Sequence, residues 1–197
     1  MTAISTEAVK ELREKSGAGV MECRNALVKA GGDMEKAQEI LRQKGIEKAE
    51  KKKDRVTKEG KIEAYVHMNK IGVLLEINCE TDFVARNELF GNLAKEIALQ
   101  IAAQGPQYIS RDRIPPDVIE KQKEVIKKVA QDEGKPANIL ERVVEGKLEK
   151  FFRTVCLLEQ AYIRDEDRKI SDLIQDVIAK LGENISVNRF VRYVLGE

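Results

Sequence analysis

The chain opens with three stretches of helical period separated by glycines. In STEAVKELREKSGAG the apolar residues Ala8, Val9 and Leu12 recur at helical spacing, with Ser5 or Thr6 placed to cap the first turn. Gly17 and Gly19 interrupt that helix, because glycine tolerates the left-handed backbone of a tight reversal. VMECRNALVKA predicts a second helix that stops at Gly31-Gly32. Asp33 is placed to cap a third, MEKAQEILRQKG, closed by Gly45. The pattern therefore predicts a three-helix bundle over residues 1–45, with a core thin enough to lean on a tether or a partner. Residues 46–59, IEKAEKKKDRVTKE, are dense in charge, almost without large apolar residues, and predict a linker.

From residue 60 the period changes. KIEAYVH alternates with Ile62, Ala64 and Val66 on one face, MNK is a candidate turn, and IGVLLEINC places Val73, Leu75, Ile77 and Cys79 on one face of a second strand. Asn87 is a candidate cap for a helix striped by Leu89, Leu93, Ile97 and Ile101, which ends at Gly105-Pro106. Helical patterns follow over 115–131 and 137–158, split by Gly134 and Pro136, and over 171–182 with Ser171 as cap. The closing ISVNRFVRYVL alternates and is β-branched, which predicts a strand. Helical material enclosed by strands far apart in sequence gives the fold class α+β, with a core over 60–197 built on a small antiparallel sheet covered by helices.

Composition narrows the chemistry. With 35 basic and 34 acidic residues the net charge is +1, so no whole-chain attraction to nucleic acid or an anionic membrane is expected. No apolar run reaches the ~18 residues of a membrane span, and MTAISTEAVKELREK does not read as a secretory signal, so a cytoplasmic protein is expected. Cys23, Cys79 and Cys156 are far apart, and with a single His67 they make no zinc set; they read as small buried hydrophobes. No convergent acid, base or nucleophile is visible, so no enzyme activity, cofactor or metal is expected. Two binding roles remain. The bundle is suited to gripping a peptide or a ubiquitin-like surface. The lysines of 46–59 are suited to RNA or the ribosome, although Glu47, Glu50, Asp54 and Glu59 dilute their field.

The stretch CETDFVARNELF, residues 79–90, carries the sharpest question. It joins a strand to a helix and sets Asp82 beside Phe83 in a connection that belongs on the surface. Phe83 either folds back onto the Leu89/Leu93 stripe or stands out for another molecule. Asp82 either caps a short turn or faces a partner. Residue types alone leave both pairs open.

Three segments carry a resemblance. SGAGVMECRNAL (16–27) is similar to a T-G-A-G-M-M-D-C-K-x-A-L pattern, NCETDFVARN (78–87) to N-C-x-T-D-F-V-A-[RK], and GENISVNRF (182–190) to a characteristic late segment. In this order and at this separation the chain resembles the elongation factor Ts family, guanine-nucleotide exchange factors of elongation factor Tu. The resemblance implies a UBA-like bundle docked on the partner's GTPase domain through Arg13, Val20, Met21 and Arg24. Here Val20 stands where methionine is usual, Glu22 for aspartate and Arg24 for lysine; the last exchanges a point charge for a planar fork. It also implies that Thr81, Asp82, Phe83 and Val84 form the exchange loop, which disturbs the partner's Mg²⁺ and phosphate site. Longer members duplicate part of the core. This short chain is therefore expected to pair with a second copy through its sheet, with Val187, Val191 and Tyr193 as candidate surface residues, giving a homodimer without direct nucleic-acid contact.

Overall fold

The computed structural model describes residues 4–197, with backbone alone at 137 and 138. Residues 1–3 of the expected bundle lie outside the described residues. The chain divides into two compact units, each assembled from segments distant in sequence.

One unit takes residues 1–61, 77–93 and 172–186. Helix α1, Thr6–Ser16, is capped by Ser5, whose Oγ accepts the Ala8 N–H at 3.1 Å, and ends at Gly17 in the left-handed conformation. Helix α2, Val20–Lys29, follows directly. Helix α3, Met34–Glu50, is capped by Asp33, whose carboxylate accepts the Lys36 N–H at 3.0 Å. Leu12, Cys23, Ala26, Leu27, Ala37 and Leu41 form the buried core, with Ala8, Val9, Met34 and Ile40 packed against it.

The expected stop at Gly45 is not observed. Helix α3 runs through it to Glu50, and Ala49 is buried. Gly45 serves another purpose there. A Cβ on it would lie 3.3 Å from the Ala179 side chain of helix α8, Ile170–Leu181. The missing side chain lets two helix backbones approach closely, a use of glycine that looks identical in sequence to a helix stop.

The other unit takes 62–76, 94–171 and 187–197. Strands β1, Glu59–His67, and β2, Ile71–Cys79, form a hairpin. Its turn holds Met68 and Asn69 at φ of 49° and 57°, closed by Lys70 N–H donating to the His67 carbonyl at 2.9 Å. Ordering the strands across the sheet gives β1–β2–β5, where β5 is Ile185–Val194. The central position of β2 explains its near-continuous apolar run, and Val73, Leu75, Ile77 and Cys79 are all buried. The expected surface residue Val187 is not exposed; it is buried at the start of β5.

Helix α5, Glu88–Gln104, starts from Asn87, whose Oδ1 accepts the Leu89 N–H at 2.9 Å. Helices α6, Pro116–Asp132, and α7, Ala137–Val155, pack together, and Ile114, Phe152, Val155 and Cys156 make a second core beside them. Arg111 lies 4.4 Å over the Phe152 ring and donates twice to Glu149 at 2.7 Å, so its charge is fully engaged. A short hairpin of β3, Ala161–Tyr162, and β4, Asp165–Lys169, has no sequence signal. Buried Gln100 holds its approach, donating to Gln160 Oε1 at 3.2 Å and to the Ala161 carbonyl at 3.0 Å. Ser171 falls inside the first turn of α8 and not before it.

Candidate functional site

Residues 82–85 form a single helical turn, α4, Asp82–Ala85, between β2 and α5. Its cap is Thr81 and not Asp82: the Thr81 hydroxyl oxygen accepts the Val84 N–H at 3.4 Å. On so short a turn neighbouring side chains point about 100° apart. Val84 is buried while Phe83 is 83 % exposed, so Val84 anchors the turn and Phe83 stands clear of its own protein. It does not fold back onto Leu89 and Leu93.

Asp82 is held by its neighbour one turn on. Arg86 Nη2 donates to Asp82 Oδ2 at 3.0 Å. Both groups are solvated, so the pair contributes well under 1 kcal/mol and opens readily for another partner. The i, i+4 spacing of Arg86 to Asp82 is the only sequence signal of this pair.

Cys79, the last residue of β2, donates its Sγ–H to the Thr81 carbonyl at 3.1 Å. Burial pushes this thiol up to about 11, so it remains a donor across the physiological range. Cys156 is likewise raised to about 11 by burial, and Cys23, Cys79 and Cys156 are all buried free thiols. At pH 8 only about one Cys79 or Cys156 in a thousand is ionised. A disulfide-exchange reagent is therefore expected to label Cys79 and Cys156 of the native protein at least ~100-fold more slowly than in the unfolded chain, monitored by thiolate absorbance. Fast labelling of either thiol in the native protein would contradict this burial.

The second group of expected residues lies on the bundle. Cys23, Ala26 and Leu27 face inward from α2, which turns Val20, Met21 and Arg24 outward, all exposed. Val28, at the next i+4 step, is exposed too and lengthens the row; sequence reading missed it. Arg13, on α1, is also exposed. Glu22 beside this row is engaged by Lys48, and that hydrogen bond holds its carboxyl below the usual range.

Three of the six basic residues of the 46–59 stretch are paired with glutamates. Lys48 pairs with Glu22, Lys53 with Glu50 at 3.3 Å, and Arg55 with Glu80 at 3.6 Å. Among the described residues no cluster of three or more His, Cys, Asp or Glu is placed to hold a metal ion, and no helix is long and apolar enough to cross a membrane. The arrangement offers protein contact: an outward aromatic on a braced turn, and an apolar row punctuated by arginine.

Comparison with known proteins finds relatives along the whole chain. The family described as Elongation factor TS matches residues 1–197. A protein named Elongation factor Ts from Thermodesulfovibrio yellowstonii is 59 % identical over 99 % of this chain and 98 % of its own length. Another of that name, from Caldanaerobacter subterraneus, is 56 % identical over 98 % of both chains.

Proposed function

The chain belongs to the elongation factor Ts family, and from that membership we propose that it is a cytoplasmic guanine-nucleotide exchange factor for elongation factor Tu in translation elongation. Its bundle, UBA-like in this reading, docks on the partner's GTPase domain through Arg13, Val20, Met21 and Arg24. The Asp82-Phe83 turn then enters the partner near its Mg²⁺ and phosphate site. The observation that carries the reading is the exposure of Phe83 on a turn whose Val84 is buried.

The physics requires no bond to be made or broken. GDP in such a GTPase is held by backbone N–H groups, a lysine and a Mg²⁺ ion shared between phosphate and protein. Mg²⁺ needs near-ideal octahedral geometry, so a small displacement of its surroundings releases much of the binding. Phe83 supplies a stiff apolar body whose burial in the partner is favourable by about 1.5–3 kcal/mol. Asp82 can leave Arg86 for a partner donor, or repel groups around phosphate. Tighter binding to the nucleotide-free partner than to the GDP form is the coupling free energy. By reciprocity, incoming GTP expels the factor.

The pairing of Lys48, Lys53 and Arg55 with glutamates, and the acids interleaved through 46–59, do not favour RNA as the partner. The sheet favours a second copy of the chain. Ile62 and Val66 on β1, Leu74 on β2, and Val191 and Tyr193 on β5 are exposed apolar residues on all three strands of one small sheet.

The test is release of labelled GDP from elongation factor Tu on addition of this chain. Acceleration is expected; an unchanged release rate at saturating chain would end the proposal. In the same assay, Met21→Ala with Arg24→Ala is expected to raise the half-saturating concentration about tenfold, since both belong to the docking row. The maximal rate should move far less, because the row acts before exchange.

A further inference from the structure

Thr81 is gripped by a residue 102 positions further along the chain. Its hydroxyl donates to Glu183 Oε1 at 2.7 Å, and its backbone N–H donates to Glu183 Oε2 at 3.0 Å. A second clasp runs the opposite way. The Asn184 N–H donates to Glu80 Oε1 at 2.7 Å, so residues 80–81 and 183–184 hold each other through two carboxylates. Asn184 is itself buried and fixed, its side-chain amide donating to the carbonyls of Lys53 at 3.0 Å and Arg55 at 2.8 Å. Thr57 and Ser186 share a further hydroxyl contact at 3.0 Å.

We propose that Glu183 is a positioning residue for nucleotide exchange: by holding both the N–H and the O–H of Thr81, it sets the direction in which α4 presents Phe83. The inference rests on the reading of Phe83 as the exchange wedge. A four-residue helix does not sustain itself, because helix nucleation is unfavourable and one turn gains almost no propagation. Its orientation must come from what binds its cap. The Thr81 hydroxyl can turn its lone pair to Val84 N–H because its proton is committed to Glu183. Removing the carboxylate frees that proton, releases the Thr81 N–H, and loosens the cap and the turn together. Phe83 would remain exposed but no longer be aimed, and misplacement of an acting group is costly in rate.

The experiment compares variants of the full chain in the GDP-release assay, with circular dichroism and thermal melting to count folded protein. Glu183→Ala is expected to lower the maximal rate about tenfold, the scale of losing a charge-assisted pair of hydrogen bonds. Its half-saturating concentration should stay within about twofold, because the α2 row is untouched. Glu183→Gln, which keeps one acceptor oxygen, should fall between. Thr81→Val should reproduce the loss and Thr81→Ser should recover most of it. Glu183→Ala added to Phe83→Ala should cause no further drop, since both act through one ring. Amide hydrogen exchange at 82–86 should quicken in Glu183→Ala.

A folded Glu183→Ala at the wild-type rate, alongside a slow Phe83→Ala, overturns the positioning role and leaves the wedge standing. An equal further loss in the Phe83→Ala background also overturns it, because Glu183 would then act elsewhere. A wild-type rate for Phe83→Ala removes the wedge and this role with it. Should Glu183→Ala fail to fold, Glu183→Gln and the two Thr81 variants carry the same comparison.

Discussion

Phe83→Ala is expected to cut the acceleration of GDP release by about 10- to 100-fold while leaving the protein folded. The magnitude follows from the ring. Burying a phenylalanine in a partner is favourable by about 1.5–3 kcal/mol, and each 1.4 kcal/mol is tenfold in rate. The folding cost is small because the ring is 83 % exposed and supports nothing in its own chain. A surface truncation of this kind changes stability by roughly 0.5 kcal/mol or less, so the melting midpoint should stay within about 2 °C. The loss should be selective: affinity for the nucleotide-free partner falls, and affinity for the GDP form changes less, because the wedge is favourable mainly where GDP is absent. Val84→Ala makes the contrasting control. Val84 is buried, so its truncation should lower the midpoint by several degrees through lost packing. If Phe83→Ala accelerates release as fast as wild type, the ring is not the wedge and the exchange site lies elsewhere.

The fold is most legible in the sequence where the physics is local. Helical period places α1, α2, α5, α6 and α7, and the caps Ser5, Asp33 and Asn87 each make the expected bond. The sequence misleads where one residue type serves two ends. Gly45 reads as a stop, but only the approach of Ala179 distinguishes a stop from a crossing. Period two showed that Ile62, Ala64 and Val66 share a face but not which face is covered, and that row is exposed. The β3–β4 hairpin has no pattern to read because β3 is two residues long, β4 is charged throughout, and its anchor, Gln100, is distant. The loop shows both limits at once. Thr81 to Val84 could be singled out as a group, yet the outward direction of Phe83 could not be read from them. It depends on Val84 finding the interior and on the cap held by Glu183.

In the two-fold pair proposed for this sheet, Leu74→Glu is expected to raise the dimer dissociation constant at least ~100-fold and leave monomers. Leu74 sits on the central strand, half exposed, between the buried residues Val73 and Leu75. In a lone chain a glutamate there meets water and costs little. In a two-fold pair the same patch faces its own copy, so each dimer would bury two added carboxylates. Their desolvation, without a partner of opposite charge, opposes pairing. A second copy suits this sheet better than an unrelated protein. Its apolar positions recur on all three strands, so two identical sheets can stack face to face at the ~10 Å spacing of sheet packing. Sedimentation decides the matter. Wild type should run at twice the 22.2 kDa chain mass and Leu74→Glu at the chain mass. Tyr193→Lys, on the neighbouring strand, should weaken the pair in the same direction, whereas Val125→Lys, exposed on α6, should not. A wild-type protein that sediments as a single chain at tens of micromolar would leave this face for another partner, because affinity below that range corresponds to less than about 7 kcal/mol of association free energy.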